Sequence, residues 1–331
     1  MDIHYFNDLF ESIKGKRIVV LGDSMIDSYL KGKVERISPE APVPILDIKT
    51  RENRLGGAAN VALNIKAMGA TAVLCSVVGD DNHGDEFEQL MKSEGLETSL
   101  LSRLKERKTT IKHRLISGTQ QLMRVDEEDR SPVESAILNE LLSKLQKYLE
   151  NNKVDGLIIQ DYNKGLLTSS FNHKIIELCK SHRIFTAVDP KKENFLSFKN
   201  CDLFKPNLKE LREGLNLELN KLNKNELYEA SDALRDQMNC SMVMVTLSEK
   251  GIYGSNDGNS FVVPAKVRDI ADVSGAGDTV IAVATLFMSV GVEMEMAARI
   301  ANLAGGLVCE MVGVVPVNRE QLLQEAIMSI K

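Results

Sequence analysis

One unit recurs along this chain and limits what it can fold into. A short apolar run rich in β-branched residues, without alternation, leads into polar or glycine residues and then into a stretch with helical spacing. The apolar runs are RIVVLGD from Arg17, TAVLCSVVGD from Thr71, VDGLIIQD from Val154, RIFTAVD from Arg183, DLFKP from Asp202 and SMVMVT from Ser241. A strand that is apolar on both faces must be covered on both faces. Helical patterns intervene over residues 58–68, 85–94, 136–151, 169–181, 208–214 and 225–238. Alternation of this kind predicts an α/β fold, a doubly wound and mostly parallel sheet flanked by helices. With no repeat and no low-complexity linker, the 331 residues read as a single domain, 1–331.

Two segments break the rhythm. Residues 29–54 hold three prolines and no helical period, and residues 109–126 read as a hairpin around Ser117, Gly118 and Thr119. Long excursions from a compact domain usually serve a function, so these two are expected to form a small inserted β lid.

The formal net charge of −6 and a pI of about 5.6 argue against a nucleic-acid binder. The five cysteines are scattered, with no C-x-x-C pair, which suggests neither a zinc site nor a disulfide framework and fits a cytoplasmic setting. The N-terminus carries acids where a signal peptide needs bases. Its Ile3, Phe6, Phe10 and Ile13 fit one face of a helix ending near Gly15. No run reaches transmembrane length, so no membrane partner is expected.

In open parallel sheets, ligands sit beyond the carboxyl ends of the strands. The residues placed there are Asp23 and Asp27; Asp161, Asn163 and Lys164; Asp189, Lys191 and Lys192; Asn207 and Glu210; then Thr246, Ser248, Glu249, Lys250 and Gly251; and last DVSGAGD. Loops are polar in any case, but the coincidence over six strand ends favours a site. Leu55-Gly56-Gly57-Ala58-Ala59-Asn60 opens the first long helix and reads equally as a phosphate or sugar site or as an ordinary helix start.

SGAGD is neither a dinucleotide fingerprint, since Val280 stands where the third glycine belongs, nor a Walker A loop, nor a nucleophile elbow. Its chemistry is more telling. The backbone N–H groups of Gly275, Ala276 and Gly277 at a helix start can stabilise negative charge developing on oxygen. Asp278, held ionised by the same N–H groups, can accept the proton of a hydroxyl as that oxygen attacks phosphorus. The same residue in the same place can also be no more than an N-cap. Asn207 and Glu210 in PNLKE stand at i and i+3. They can hold a water-coordinated Mg²⁺, form a capping box, or do both.

The ordered set GDSMIDSYL, GGAANVA, PNLKE, VTLSEKG and DVSGAGDT followed by IANLAGGLV resembles the ribokinase-like (PfkB) carbohydrate kinases over essentially the whole chain. The resemblance implies a ribokinase-like fold, ATP and Mg²⁺ as cofactors, and Asp278 as the base that activates the sugar hydroxyl. It implies that Asn207 and Glu210 organise Mg²⁺ and the phosphates, and that Thr246, Ser248, Glu249, Gly251 and Asn302 line the nucleotide pocket. Asp27, Gly56, Gly57 and Asn60 would face the sugar beneath the lid. A monovalent cation such as K⁺ is common in such kinases, with a site in the loop before Asp278.

Within the family, RISPEAPVPIL, GGAANVALNI, QDYNKG and VDPKK are most similar to the branch acting on D-glycero-β-D-manno-heptose 7-phosphate. The implied reaction transfers phosphate from ATP to the anomeric hydroxyl, giving the 1,7-bisphosphate that feeds ADP-heptose and lipopolysaccharide core. The alternative is another sugar: ribose, fructose or a hexose phosphate. A sugar phosphate needs cations at its far end. Lys164, Lys191 and Lys192, with Asp161 and Asp189, follow two neighbouring strands, and Lys112, Arg114 and Arg124 lie on the lid segment. Ser274 stands where the family more often has Thr, and Lys192 where a small residue is expected. Many relatives carry a nucleotidyltransferase domain; with no HxGH-like motif here, only the kinase step is expected. Lid strands pairing by their edges would give a homodimer.

Overall fold

The computed structural model describes residues 3–217 and 223–330. The strands are β1 (Arg17–Gly22), β2 (Ser24–Ile37), β3 (Pro44–Gly57), β4 (Thr71–Gly79), β5 (Leu101–Leu104), β6 (Ile111–Ser117) and β7 (Gln120–Glu127). They continue with β8 (Gly156–Gln160), β9 (Phe185–Asp189), β10 (Leu203–Phe204), β11 (Met242–Thr246), β12 (Ile252–Asn256) and β13 (Asn259–Val263). The helices are α1 (Ile3–Ser12), α2 (Ala58–Ala67), α3 (Asn82–Ser93), α4 (Ser135–Asn151) and α5 (Ser169–Ser181). After them come α6 (Leu208–Gly214), α7 (Lys224–Met238), α8 (Ala276–Met288), α9 (Met294–Cys309) and α10 (Arg319–Ser329).

The main sheet has the order β13-β12-β11-β10-β9-β8-β1-β4-β5. It is parallel from β11 to β5, with β12 and β13 antiparallel at one edge. The absence of alternation in the strand sequences has its explanation here. Ile18 and Val20 of β1 face one core, shared with α1, α2, α8, α9 and α10. Val19 and Leu21 face the other, shared with α4, α5 and α7. A residue step turns each side chain to the opposite face, so every position must be apolar. In α1, Phe6 and Phe10 are fully buried and the Phe10 ring packs on Phe287 of α8, 5.1 Å between centroids. No described helix is long and apolar enough to cross a membrane.

The second sheet, β3-β2-β6-β7, is the inserted unit. It spans 24–57 and 111–127: the first segment is longer at its base than the expected 29–54, and the second is shifted by one or two residues from the expected 109–126. Met25, Ile26 and Tyr29 are buried, so β2 leaves the core as a strand directly after Asp23. The turn that joins β2 to β3 holds Pro39 and Pro42, and the tight turn after Ser117 joins β6 to β7. At the far edge of the main sheet β13 stops at Val263. Pro264 has no N–H to donate to a ladder.

The chain runs outward from β1 to β4 and β5 on one side and from β8 to β11 on the other. This reversal opens a crevice at the carboxyl ends of β1 and β8, the place where open α/β sheets take ligands.

Candidate active site

Two helices begin at that crevice. Helix α2 follows β3 at Gly57 (φ 61°), and α8 follows Gly275 (φ 80°), which is its N-cap. Neither start is capped by a side chain, although the first N–H groups of a helix have no partner within it. Gly275 is required twice over. Its left-handed backbone disfavours any side chain, and a Cβ there would lie 2.8 Å from the Asn60 amide.

Asp278 therefore does not cap α8; it is the third residue of the helix, within its first turn, and 4% exposed. Asn60 Nδ2 from α2 donates to its Oδ2 at 2.8 Å. Tyr162 Oη, just past β8, donates to its Oδ1 at 2.7 Å, and Gln160 Nε2 at 3.1 Å. The sequence expectation that the helix start holds this group ionised needs correcting in one respect. Burial dominates and pushes the carboxyl up to about 6, against the hydrogen bonds of Asn60 and Tyr162; Asp189 raises it further and Lys205 lowers it. With a value of about 6, the ionised form still predominates at pH 7.

Around Asp278 the charges pair off. Lys205, 2% exposed, is bonded to Asp189 Oδ2 at 3.0 Å, and Gln160 Nε2 bridges to the same oxygen at 3.3 Å. Its ammonium lies 3.8 Å from the point a Cβ on Gly277 would occupy, so the uncapped start of α8 carries a buried cation beside it. Lys191 pairs with Glu210 and its ammonium stands 5.5 Å from the Tyr162 ring centroid. Burial works against the Lys191 ammonium, but Asp189 and then Glu210 outweigh it and hold the group above the ordinary lysine range. Asp161 is taken up by local bonds from Asn163 N, Lys191 N and Asn194 Nδ2, and burial followed by Asp23 pushes it up to about 6.

Asn207 and Glu210 form the capping box of α6, each side chain bonded to the other's backbone N–H at 2.8 Å. Both readings of PNLKE thus share one geometry. Among the described residues no three His, Cys, Asp or Glu side chains gather to hold a metal. Mg²⁺ is commonly held by one or two carboxylates, waters and substrate phosphates. Glu210, bonded to Asn207 N on one oxygen and to Lys191 on the other, fits that mode through water rather than by direct ligation. Asn207 also bridges to Thr246, which brings the two strand ends together. Beyond Thr246, Ser248 (φ 54°) and Glu249 are exposed on a one-turn 3₁₀ helix closed by Gly251. Asn302 of α9 donates to the Pro264 carbonyl at 2.8 Å.

On the lid side, Asp27 Oδ1 accepts from Arg114 Nη1 at 2.5 Å, and a Cβ on Gly56 would collide with the Asp27 carboxylate. The guanidinium of Arg114 stands 5.3 Å from the Tyr29 ring centroid and that of Arg54 5.0 Å, and Tyr29 Oη accepts from Val314 N at 2.9 Å. Lys164 and Lys112 share Glu128, at 2.5 and 3.4 Å, and Lys112 and Arg124 both reach Asp126. Burial of Glu128 is outweighed by Lys164 and Arg130, which hold its carboxyl at about 2.

The structure thus gathers Asp278, Asn60, Asp189, Lys191 and Glu210 in one crevice, with Gly275 to Gly277 above them. Asp27 and Lys164 lie towards the lid, and Ser248, Glu249 and Asn302 on the far side. Gln160, Tyr162 and Lys205 are the residues that sequence reasoning did not single out. The available signal was a polar side chain closing an apolar strand, as in GLIIQ and LFK.

Residues 16–320 match the pfkB family of carbohydrate kinases. The chain belongs to this family. As a pfkB kinase it is a sugar kinase, of a family that works with ATP and a divalent metal. It is 37% identical over 311 residues to the bifunctional protein HldE of Helicobacter hepaticus, covering 94% of this chain and 64% of that protein. To HldE of Helicobacter pylori it is 39% identical over 298 residues, 90% of this chain and 64% of that one. The pfkB kinase therefore spans just under two thirds of the length of these relatives. Its fold is similar to that of phosphofructokinase-2 from Escherichia coli in complex with potassium, with a TM-score of 0.78 at 18% identity over 94% of this chain and 97% of that one. It is also similar to Arabidopsis thaliana ribokinase complexed with ribose and ATP, with a TM-score of 0.72 at 17% identity over 94% and 99%.

Proposed function

We propose that this pfkB kinase phosphorylates O1 of D-glycero-β-D-manno-heptose 7-phosphate, with Asp278 as the general base. The observation that carries the base is its setting: a buried carboxylate, three donors around it, at the uncapped glycine start of a helix. The acceptor's O–H proton passes to Asp278. The freed electron pair forms the bond to the γ-phosphorus, and the bond from that phosphorus to the β–γ bridging oxygen breaks, releasing ADP. The N–H groups of Gly275 and Gly277, with the Lys205 ammonium near them, meet the charge on the transferring group; the Ala276 N–H, which donates to the Val273 carbonyl at 3.3 Å, would have to exchange that bond to join them. When bound, Mg²⁺ supplies charge neutralisation at the phosphates, with Asn207 and Glu210 as its water-mediated anchors. A monovalent cation belongs, on this reading, in the loop where Asp272 accepts from Ser274 N and Gly313 N.

The heptose reading is supported by the resemblance of QDYNKG and VDPKK and by the 37–39% identity to proteins named HldE. It is supported too by the lid-side cluster, where Lys112, Lys164, Arg124 and Arg130 outnumber Asp126 and Glu128, a surplus suited to a phosphate dianion. In a coupled ADP-release assay over a sugar panel, heptose 7-phosphate is expected to give the highest kcat/KM by at least about tenfold, which is about 1.4 kcal/mol of differential binding. A higher value for ribose or fructose 6-phosphate would transfer the assignment to that sugar.

The lid exposes Ile37, Val43, Ile48, Leu122, Met123 and Val125. A soluble monomer rarely leaves a large apolar patch open, which supports a homodimer through the lid. Sedimentation equilibrium is expected to return twice the chain mass, and Met123→Glu with Val125→Glu to return it to the single mass. A wild-type chain that stays monomeric at high micromolar concentration would refute the dimer.

A further inference from the structure

Asp278 receives its three donors from three different places: Asn60 on α2, Gln160 at the end of β8 and Tyr162 two residues beyond. A carboxylate offers about four lone-pair directions, two on each oxygen. The Tyr162 hydroxyl and the Gln160 amide both fall on Oδ1, whereas Asn60 alone falls on Oδ2. One direction, on Oδ2, is left. We propose that Tyr162 is a positioning residue of the transfer step: its hydroxyl fills Oδ1 of Asp278 and thereby commits Oδ2 as the oxygen that takes the acceptor's proton.

The tyrosine is held at three points. Its backbone N–H donates to Asp23 Oδ2 at 3.0 Å, its ring meets the Lys191 ammonium, and its hydroxyl meets Asp278. Lys191 continues to Glu210, so one line of contacts runs from the base to the acid that anchors the nucleotide side. The hydroxyl stays a donor throughout, because burial and then the charge of Asp278 push it well above the ordinary tyrosine range. The charged groups that face this pair are Asp189 on β9, Lys191 beyond it, Lys205 beyond β10 and, towards the tyrosine, Asp27 on β2.

This role rests on the reading of Asp278 as the base, and the test separates the two. Tyr162→Phe removes one O–H and keeps the ring. A lost donor to the ionised form raises the carboxyl, so the acid limb of the kcat/KM profile is expected to move up by about one pH unit. Turnover falls several-fold near pH 6 and largely recovers near pH 8.5. A merely structural loss would depress turnover equally at every pH. A readout free of substrate is the ¹³C resonance of the Asp278 carboxyl in aspartate-labelled protein, assigned with Asp278→Asn, whose midpoint is expected to rise in the Phe variant. An unmoved midpoint and an unmoved acid limb overturn the positioning role. Undiminished turnover in Asp278→Asn overturns the reading of the base itself, whichever way the tyrosine variant behaves.

Discussion

Replacement of Asp278 by Asn is expected to lower kcat by about 10²- to 10⁴-fold, the range a positioned general base contributes. The change is nearly isosteric, and it removes the carboxylate proposed to take the acceptor's proton. Of the four sites on the carboxylate, three face donors; an amide would satisfy fewer of them and would turn its own NH₂ towards at least one. A modest loss of stability should accompany the change, of the order of 1–3 kcal/mol for an imperfectly paired buried group. ATP binding is expected to persist within a few-fold, because Asn207, Glu210 and Thr246 lie on separate strand ends. Titration calorimetry with ATP and single-turnover assays separate the two quantities. Turnover within about threefold of the wild-type value would remove Asp278 from the role of base. In the wild-type enzyme kcat/KM should fall as pH drops through about 6, since the proton acceptor must be ionised and burial has raised it to that value.

The second large effect is expected at Lys205. Its ammonium is buried against Asp189, and the Gln160 amide is the other donor to that same oxygen. Lys205→Met leaves Asp189 charged, buried and short of its cation, which typically costs about 3–5 kcal/mol. Asp189 also raises Asp278, so the variant should show a higher acid limb as well as a lower melting temperature. Combination with Asp189→Asn removes the stranded charge and is expected to restore more than half of the lost stability in denaturant unfolding. Turnover in the double variant is expected to stay low, because the cation beside Gly277 is still missing. A single variant that unfolds at the wild-type midpoint would show that the pair contributes no stability, and full turnover in the double variant would show that the ammonium does not serve the transferring phosphate.

Parts of this site could be read directly from the chain because their geometry is local. The capping box of Asn207 and Glu210 needs only i and i+3, and the structure forms it as PNLKE predicts. Gly275 and Asp278 lie within one turn of α8, and the lid hairpin after Ser117 is set by its own turn. Strands β1, β4, β8, β9, β10 and β11 were equally legible, since burial on both faces leaves a mark at every position of RIVVLG or GLIIQ, whereas β5 and β12 towards the sheet's edges were not read from the chain. The edges of elements were less so. β2 begins at Ser24 because the six residues after it remain buried, a property of the packed molecule and not of the residues' own preferences.

What the residues determined by themselves was the α/β alternation, the glycine starts of α2 and α8 and the order of the motifs. Each depends on spacing along the chain, and spacing is what a sequence records. The tertiary structure alone decided that Tyr162 and Gln160, more than a hundred residues away, meet Asp278, and that Lys205 faces Asp189. It decided as well that burial, and not the helix start, sets the protonation of Asp278. Desolvation sums over every atom packed around a group, and those atoms come from strands whose neighbours are fixed only when β1 and β8 lie side by side.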